Sequence, residues 1–85
     1  MPSAQQIYYS GFDEVFLKLP ADTQRRIEAK IDEMGRRLAE FPHHHLTGSN
    51  RFRLRVGTHR VIYRFDVAKG EIHLLAVGHR REIYR

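Results

Sequence analysis

Residues Arg51 to Tyr63 read RFRLRVGTHRVIY, and the fold is decided by how this stretch is read. Arg51, Arg53 and Arg55 alternate with Phe52, Leu54 and Val56. Strand side chains project to opposite faces with a period of two, so the arginines share one face and the apolar residues the other. Gly57 and Thr58 interrupt the run, and His59 to Phe65 resume it with Val61, Ile62 and Tyr63. This predicts a hairpin with guanidinium groups standing on one face of its sheet. A blunted edge strand also carries charge. A solvated face, however, ordinarily mixes lysine, glutamate and threonine, whereas this one is nearly all arginine. Arginine keeps its charge at physiological pH, and its planar fork matches phosphate. The stretch reads as a phosphate-binding sheet.

Upstream, Ile7, Tyr8 and Tyr9 favour a short first strand. Ser10 and Asp13 have the spacing of a helix N-cap, with Gly11 easing the turn and Phe12, Val15, Phe16 and Leu19 on one face. Pro20 ends that helix and suits the first turn of the next. Ile27, Ile31, Met34, Leu38 and Phe41 form the clearest helical stripe in the chain, which Pro42 is expected to stop. Gly35 interrupts it and would mark a close packing contact. His43, His44 and His45 read as solvated loop residues, because neighbours in sequence do not readily converge on one metal ion and no acidic or cysteine partner has ligand spacing.

Downstream, Glu71 to Val77 predicts a third strand of this half, with Ile72, Leu74 and Ala76 on one face and Leu75 and Val77 on the other. Tyr63 and Phe65 alternate with Arg64 and are assigned to the core, and Arg64 to a structural or ligand-positioning role without chemistry of its own. The order β-α-α-β-β-β describes an α+β fold, a two-helix hairpin on one face of a small, mainly antiparallel four-stranded sheet. Residues 1–85 are expected to form a single domain.

Fifteen Lys+Arg against ten Asp+Glu give a formal charge of +5, and the isoelectric point near 10.1 suits a polyanionic partner, most often nucleic acid. With no cysteine, disulfide and thiol chemistry are excluded. The start, MPSAQQIYYSG, lacks a basic segment followed by an apolar one, so no signal peptide is expected. No apolar run approaches the roughly 20 residues of a membrane span. A cytoplasmic protein with no membrane partner, metal or cofactor is expected.

The pattern LTG (Leu46–Gly48), then RFRLRVGTHRVIYRF (Arg51–Phe65), then HLLAVGHRREIY (His73–Tyr84) resembles the RelE/ParE family of bacterial toxin–antitoxin systems. The resemblance covers nearly the whole chain and is most specific from Leu46 to Tyr84. It implies one of two activities. The RelE branch cuts mRNA in the decoding site of the ribosome; the ParE branch poisons DNA gyrase without cleaving nucleic acid. A non-catalytic RNA-binding module is a third reading. The resemblance also implies a cognate antitoxin, with operator DNA contacted only through the antitoxin complex.

Within the RelE branch, Arg53 and Arg55 match basic positions of the first hairpin strand, and Arg60 the arginine before the second strand's apolar run. Arg80 matches the basic residue after the last strand's glycine, and Tyr84 the terminal tyrosine. The catalytic set is therefore Arg55, Arg60, His79, Arg80 and Tyr84, with Arg51, Arg53, His59 and Arg81 holding RNA. Metal-free RNA cleavage uses the substrate's 2′-OH against the adjacent phosphate, and fixed arginines stabilise the charge that gathers there. A base must take the 2′ proton and an acid must protonate the departing 5′ oxygen. Some family members carry lysine on the first strand, but Arg55 does not readily lose its proton. The base thus falls to Tyr84, His79 or His59, with His79 placed ahead of His59 because it adjoins Arg80.

Overall fold

The computed structural model describes residues 3–83. In chain order the elements are β1 (Gln5–Tyr8), α1 (Ser10–Phe16), α2 (Ala21–Arg36), β2 (His44–His45), β3 (Phe52–Val56), β4 (His59–Asp66) and β5 (Glu71–His79). The sheet order is β1-β5-β4-β3-β2, with β1 parallel to β5 and every other pairing antiparallel. Both helices lie on one face. Phe12 and Phe16 of α1 and Ile27, Ile31 and Met34 of α2 pack against Leu54, Val61, Tyr63, Ile72, Leu74 and Val77 of the sheet. Each such side chain, once fully buried, contributes about 1.5–3 kcal/mol.

This is the expected α+β fold with one strand more than the four anticipated. The extra strand is the His44–His45 pair, which zips onto Arg53 and Phe52. His43 is not a solvated loop residue. Its Nε2 donates to the Leu38 carbonyl at 2.8 Å, its Nδ1 lies 2.6 Å from the Tyr63 hydroxyl, and its ring stacks on Phe65 with centroids 3.8 Å apart. His43 and His45 both pack on the Phe52 ring, while His44 pairs with Arg53 on the opposite face.

The helix boundaries differ too. Ser10 is already inside the first turn, because Phe12 and Asp13 donate to the Tyr9 carbonyl and no side chain caps α1. Gly11 has another purpose: a Cβ there would stand 2.9 Å from the Leu75 carbonyl oxygen, so the glycine lets α1 lie against β5. Of the α1 stripe, Val15 is exposed. Helix α2 stops at Arg36, well before Pro42. The Gly35 carbonyl, which a longer helix would use internally, accepts the Ala4 N–H at 2.9 Å. Leu38 and Phe41 still reach the core, through turns.

Strand β5 carries a bulge: Tyr63 pairs with Leu74 and Ile62 with Ala76, leaving Leu75 as the extra residue. The faces therefore switch midway, so that Ile72 and Leu74 are joined on the helix side by Val77, not Ala76. Beyond the bulge, Ala76 and Gly78 fall on the face without helices.

Candidate nucleic-acid interface

Directly paired residues of a β-ladder share a face. Arg55 pairs with Arg60, and Arg60 with Gly78; Arg53 pairs with Ile62 on one side and His44 on the other. These residues, with Arg64 two positions beyond Ile62, occupy the face opposite the helices. Arg53 and Arg55 are exposed, as is Arg51 just before β3. His44, Arg53 and Arg55 line a groove of about 220 Å³. The ion pairs among the described residues involve only Lys30, Arg37 and His73, so no arginine of this face is neutralised by a carboxylate there.

Arg60 is the unusual member, a buried arginine only 7% exposed. Its Nη1 donates to the carbonyl oxygens of Gly57 (3.0 Å) and His59 (2.9 Å). No buried side-chain nitrogen or oxygen among the described residues lacks a partner. One corner of the fork is thus fixed by two turn carbonyls. Its anchor is the Gly57-Thr58 turn, where Gly57 adopts φ +59, the positive value required at the first central residue of a tight type II′ hairpin turn. The same turn holds the segment that follows β5, because Arg80 N–H donates to the Thr58 carbonyl at 2.8 Å. From there Glu82 and Ile83 bond back to the His79 carbonyl, and Ile83 settles over Gly78 on the arginine face. The resemblance singles out Arg80, and this bond ties its backbone to the turn between Arg55 and Arg60.

His59 and His79, the candidate bases, stand on the other side of the sheet from Arg53, Arg55 and Arg60. They pair with each other, and His59 with Val56, which packs on the core, so both belong to the helix side of the sheet. Their rings meet edge to face at 6.0 Å. Burial first, then His79 and Arg26, pushes the His59 imidazole below its ordinary value. His79 Nδ1 accepts the Arg81 amide at 3.2 Å and so shapes the terminal turn, while the Arg81 side chain stays exposed. Tyr84 lies outside the described residues.

Two residues escape the sequence reading. His44 joins the arginine groove, which the in-out alternation of a strand would reveal only if those residues were recognised as one. Arg26 of α2 comes within 3.2 Å of where a Cβ of Gly57 would stand, bringing another cation to the turn. Nothing in the helical pattern distinguishes it.

The fold and site together define a small basic protein, a helix-backed sheet whose open face carries arginines without ion pairs among the described residues. Residues 2–84 match the sequence model of the family described as ParE toxin of type II toxin–antitoxin system, parDE, and the chain belongs to that RelE/ParE family of toxins. No curated protein sequence matches it. Among solved structures, the toxin–antitoxin complex RelBE2 from Mycobacterium tuberculosis is similar at 21% identity and a TM-score of 0.79, over 96% of this chain and 97% of that one. The archaeal RelE–RelB complex from Pyrococcus horikoshii follows at 20% and 0.75, over 95% and 99%. The isolated E. coli RelE toxin gives 14% and 0.77, over 96% and 92%. At these identities the likeness shows the fold.

Proposed function

We propose that the chain is a ribosome-dependent mRNA endonuclease, with the arginine face as its active surface. The observation that carries this reading is Arg60, a buried arginine whose guanidinium is tied to a turn and whose backbone pairs with that of Arg55, on a face where no arginine forms an ion pair among the described residues. Catalysis by positioned charge requires donors fixed before the substrate arrives. Like charges held side by side are costly, and an entering phosphate relieves that cost most when it carries the extra charge of the transition state.

In the step, the 2′ oxygen attacks the adjacent phosphorus while a base takes its proton. The bond from phosphorus to the 5′ oxygen breaks, and that oxygen takes up a proton, leaving a cyclic 2′,3′-phosphate and a 5′-hydroxyl. Arg55, Arg60 and Arg80 stabilise the phosphorane charge, while Arg51, Arg53 and Arg81 hold flanking phosphates. The base falls to Tyr84, since His59 and His79 stand on the helix side. His79 then acts through the turn that it shapes. The partners on this reading are mRNA on the ribosome, in the cytoplasm, and an antitoxin. A toxin–antitoxin complex is what the M. tuberculosis and P. horikoshii structures contain, and an acidic segment would match the bare arginine face by charge. Operator DNA would be met only through that complex.

A second reading, inhibition of DNA gyrase without cleavage, is favoured by the matching family model, whose description names parDE. Cell-free translation and gyrase supercoiling, run side by side with the purified protein, separate the two. Translation arrest with normal supercoiling supports the nuclease, and the reverse pattern supports the gyrase reading.

A further inference from the structure

Beyond the arginine cluster, the same open face carries a second built feature, at its β1 edge. Tyr9 follows β1, and its hydroxyl lies 2.9 Å from His73 Nδ1; His73 Nε2 lies 3.3 Å from Glu71 Oε1. The Glu71 carboxylate accepts from Nε2–H, and the Tyr9 hydroxyl meets the ring at Nδ1. With both nitrogens occupied, the imidazole is fixed in orientation and offers a flat surface. The Tyr9 and His73 rings stand 5.8 Å apart at 59°, forming a notch. His73 pairs with Arg64 of β4, so a guanidinium stands beside the notch on the same face. No hydrogen bond or ion pair holds the Arg64 side chain among the described residues.

We propose that Tyr9, His73 and Arg64 form a nucleotide subsite for single-stranded RNA, with the base against the two rings and its phosphate on Arg64. The proposal rests on the reading of the arginine face as an RNA surface and extends it. Arg60 and Arg64 are four residues apart on β4, about 13 Å along the strand at roughly 3.3 Å per residue. One strand of RNA can run along β4 from the cleavage cluster to the notch. Unstacked bases favour aromatic and guanidinium platforms. Glu71, at the far end of the relay, repels a phosphate and so leaves that role to Arg64. The relay's distance from Arg60 excludes it as the base for the same phosphate.

The test is a fluorescence anisotropy titration with two single-stranded 2′-O-methyl RNA oligonucleotides, which lack the attacking hydroxyl. The short one spans only the Arg53, Arg55 and Arg60 cluster; the long one continues past Arg64. Tyr9→Leu and Arg64→Gln should each weaken binding of the long RNA about tenfold and leave the short one unchanged. Arg55→Gln should weaken both. Melting curves check each fold, and Arg64→Gln carries the test alone should Tyr9→Leu not fold. Unchanged binding of the long RNA by Arg64→Gln, with Arg55→Gln weakening both, overturns the subsite and leaves the arginine face standing. Failure of the unsubstituted protein to bind either RNA overturns both.

Discussion

Ile83 rests on Gly78: a Cβ added to the glycine would stand 3.3 Å from the isoleucine Cδ1. Because Gly78 pairs with Arg60, this contact lays the C-terminal turn beside Arg60 on the arginine face. Alanine there needs only a small shift of a side-chain end. Valine adds two further methyl groups where Ile83 lies and lifts the turn that carries Arg80. Gly78→Val is expected to slow single-turnover cleavage about a hundredfold, the scale of a misplacement near 1 Å, with little change in melting temperature. An unchanged rate would mean that the turn has no part in the chemistry.

On the nuclease reading, Arg60 works through the shape of its fork. Lysine keeps the charge but cannot hold two carbonyl groups at one corner and present a planar edge at the other. Arg60→Lys should therefore lose nearly as much cleavage rate as Arg60→Ala, about 10²-fold or more. The salt dependence of RNA binding should flatten in Arg60→Ala and persist in Arg60→Lys, because a phosphate contact releases counterions. Full activity in the lysine variant would contradict the anchored fork.

His43 closes the core from the β2 edge. Burial pushes the Tyr63 hydroxyl well above its ordinary range, so it stays protonated and donates to His43 Nδ1. Removing the imidazole strands that buried hydroxyl, at about 1–3 kcal/mol, and forfeits ring contacts of about 0.5–1.5 kcal/mol. His43→Ala should cost about 2–4 kcal/mol in urea denaturation, whereas His44→Ala, on the open face, should leave stability nearly unchanged.

These elements show what the sequence carries and what it hides. The hairpin and the α2 stripe are legible because Phe52 to Val56 and Ile27 to Met34 repeat at the periods of strand and helix. The bulge at Leu75 is not. A single extra residue changes the faces without changing composition, and Ile72, Leu74, Leu75, Ala76 and Val77 are apolar in either register. The end of α2 is hidden because Gly35 gives its carbonyl to Ala4, a contact between residues far apart in sequence. His43 looks solvated beside two other histidines, since its partners Tyr63 and Phe65 lie on a distant strand. Within the site, the face shared by Arg53, Arg55 and Arg60 follows from alternation. That His59 and His79 stand on the other side depends on the pairing register.

His59 gives stability a pH dependence. Its folded-state value is lowered from the ordinary 6.5 by burial, then by His79 and Arg26. As pH falls through 6.5 the unfolded chain binds the proton first, so unfolding is favoured and stability declines until the folded-state value is passed. Denaturation midpoints should therefore fall from neutral to mildly acidic pH, and His59→Gln should remove that part of the slope. A slope identical in the variant would assign the effect to other groups.

Mapping mRNA 5′ ends on purified, programmed ribosomes, with and without the protein, tests the central claim most directly. The arginine face, acting as a nuclease, predicts new 5′-hydroxyl ends clustered in the decoding site, strongly reduced by Arg60→Ala and Arg80→Ala. Intact mRNA in the presence of well-folded protein would contradict the account.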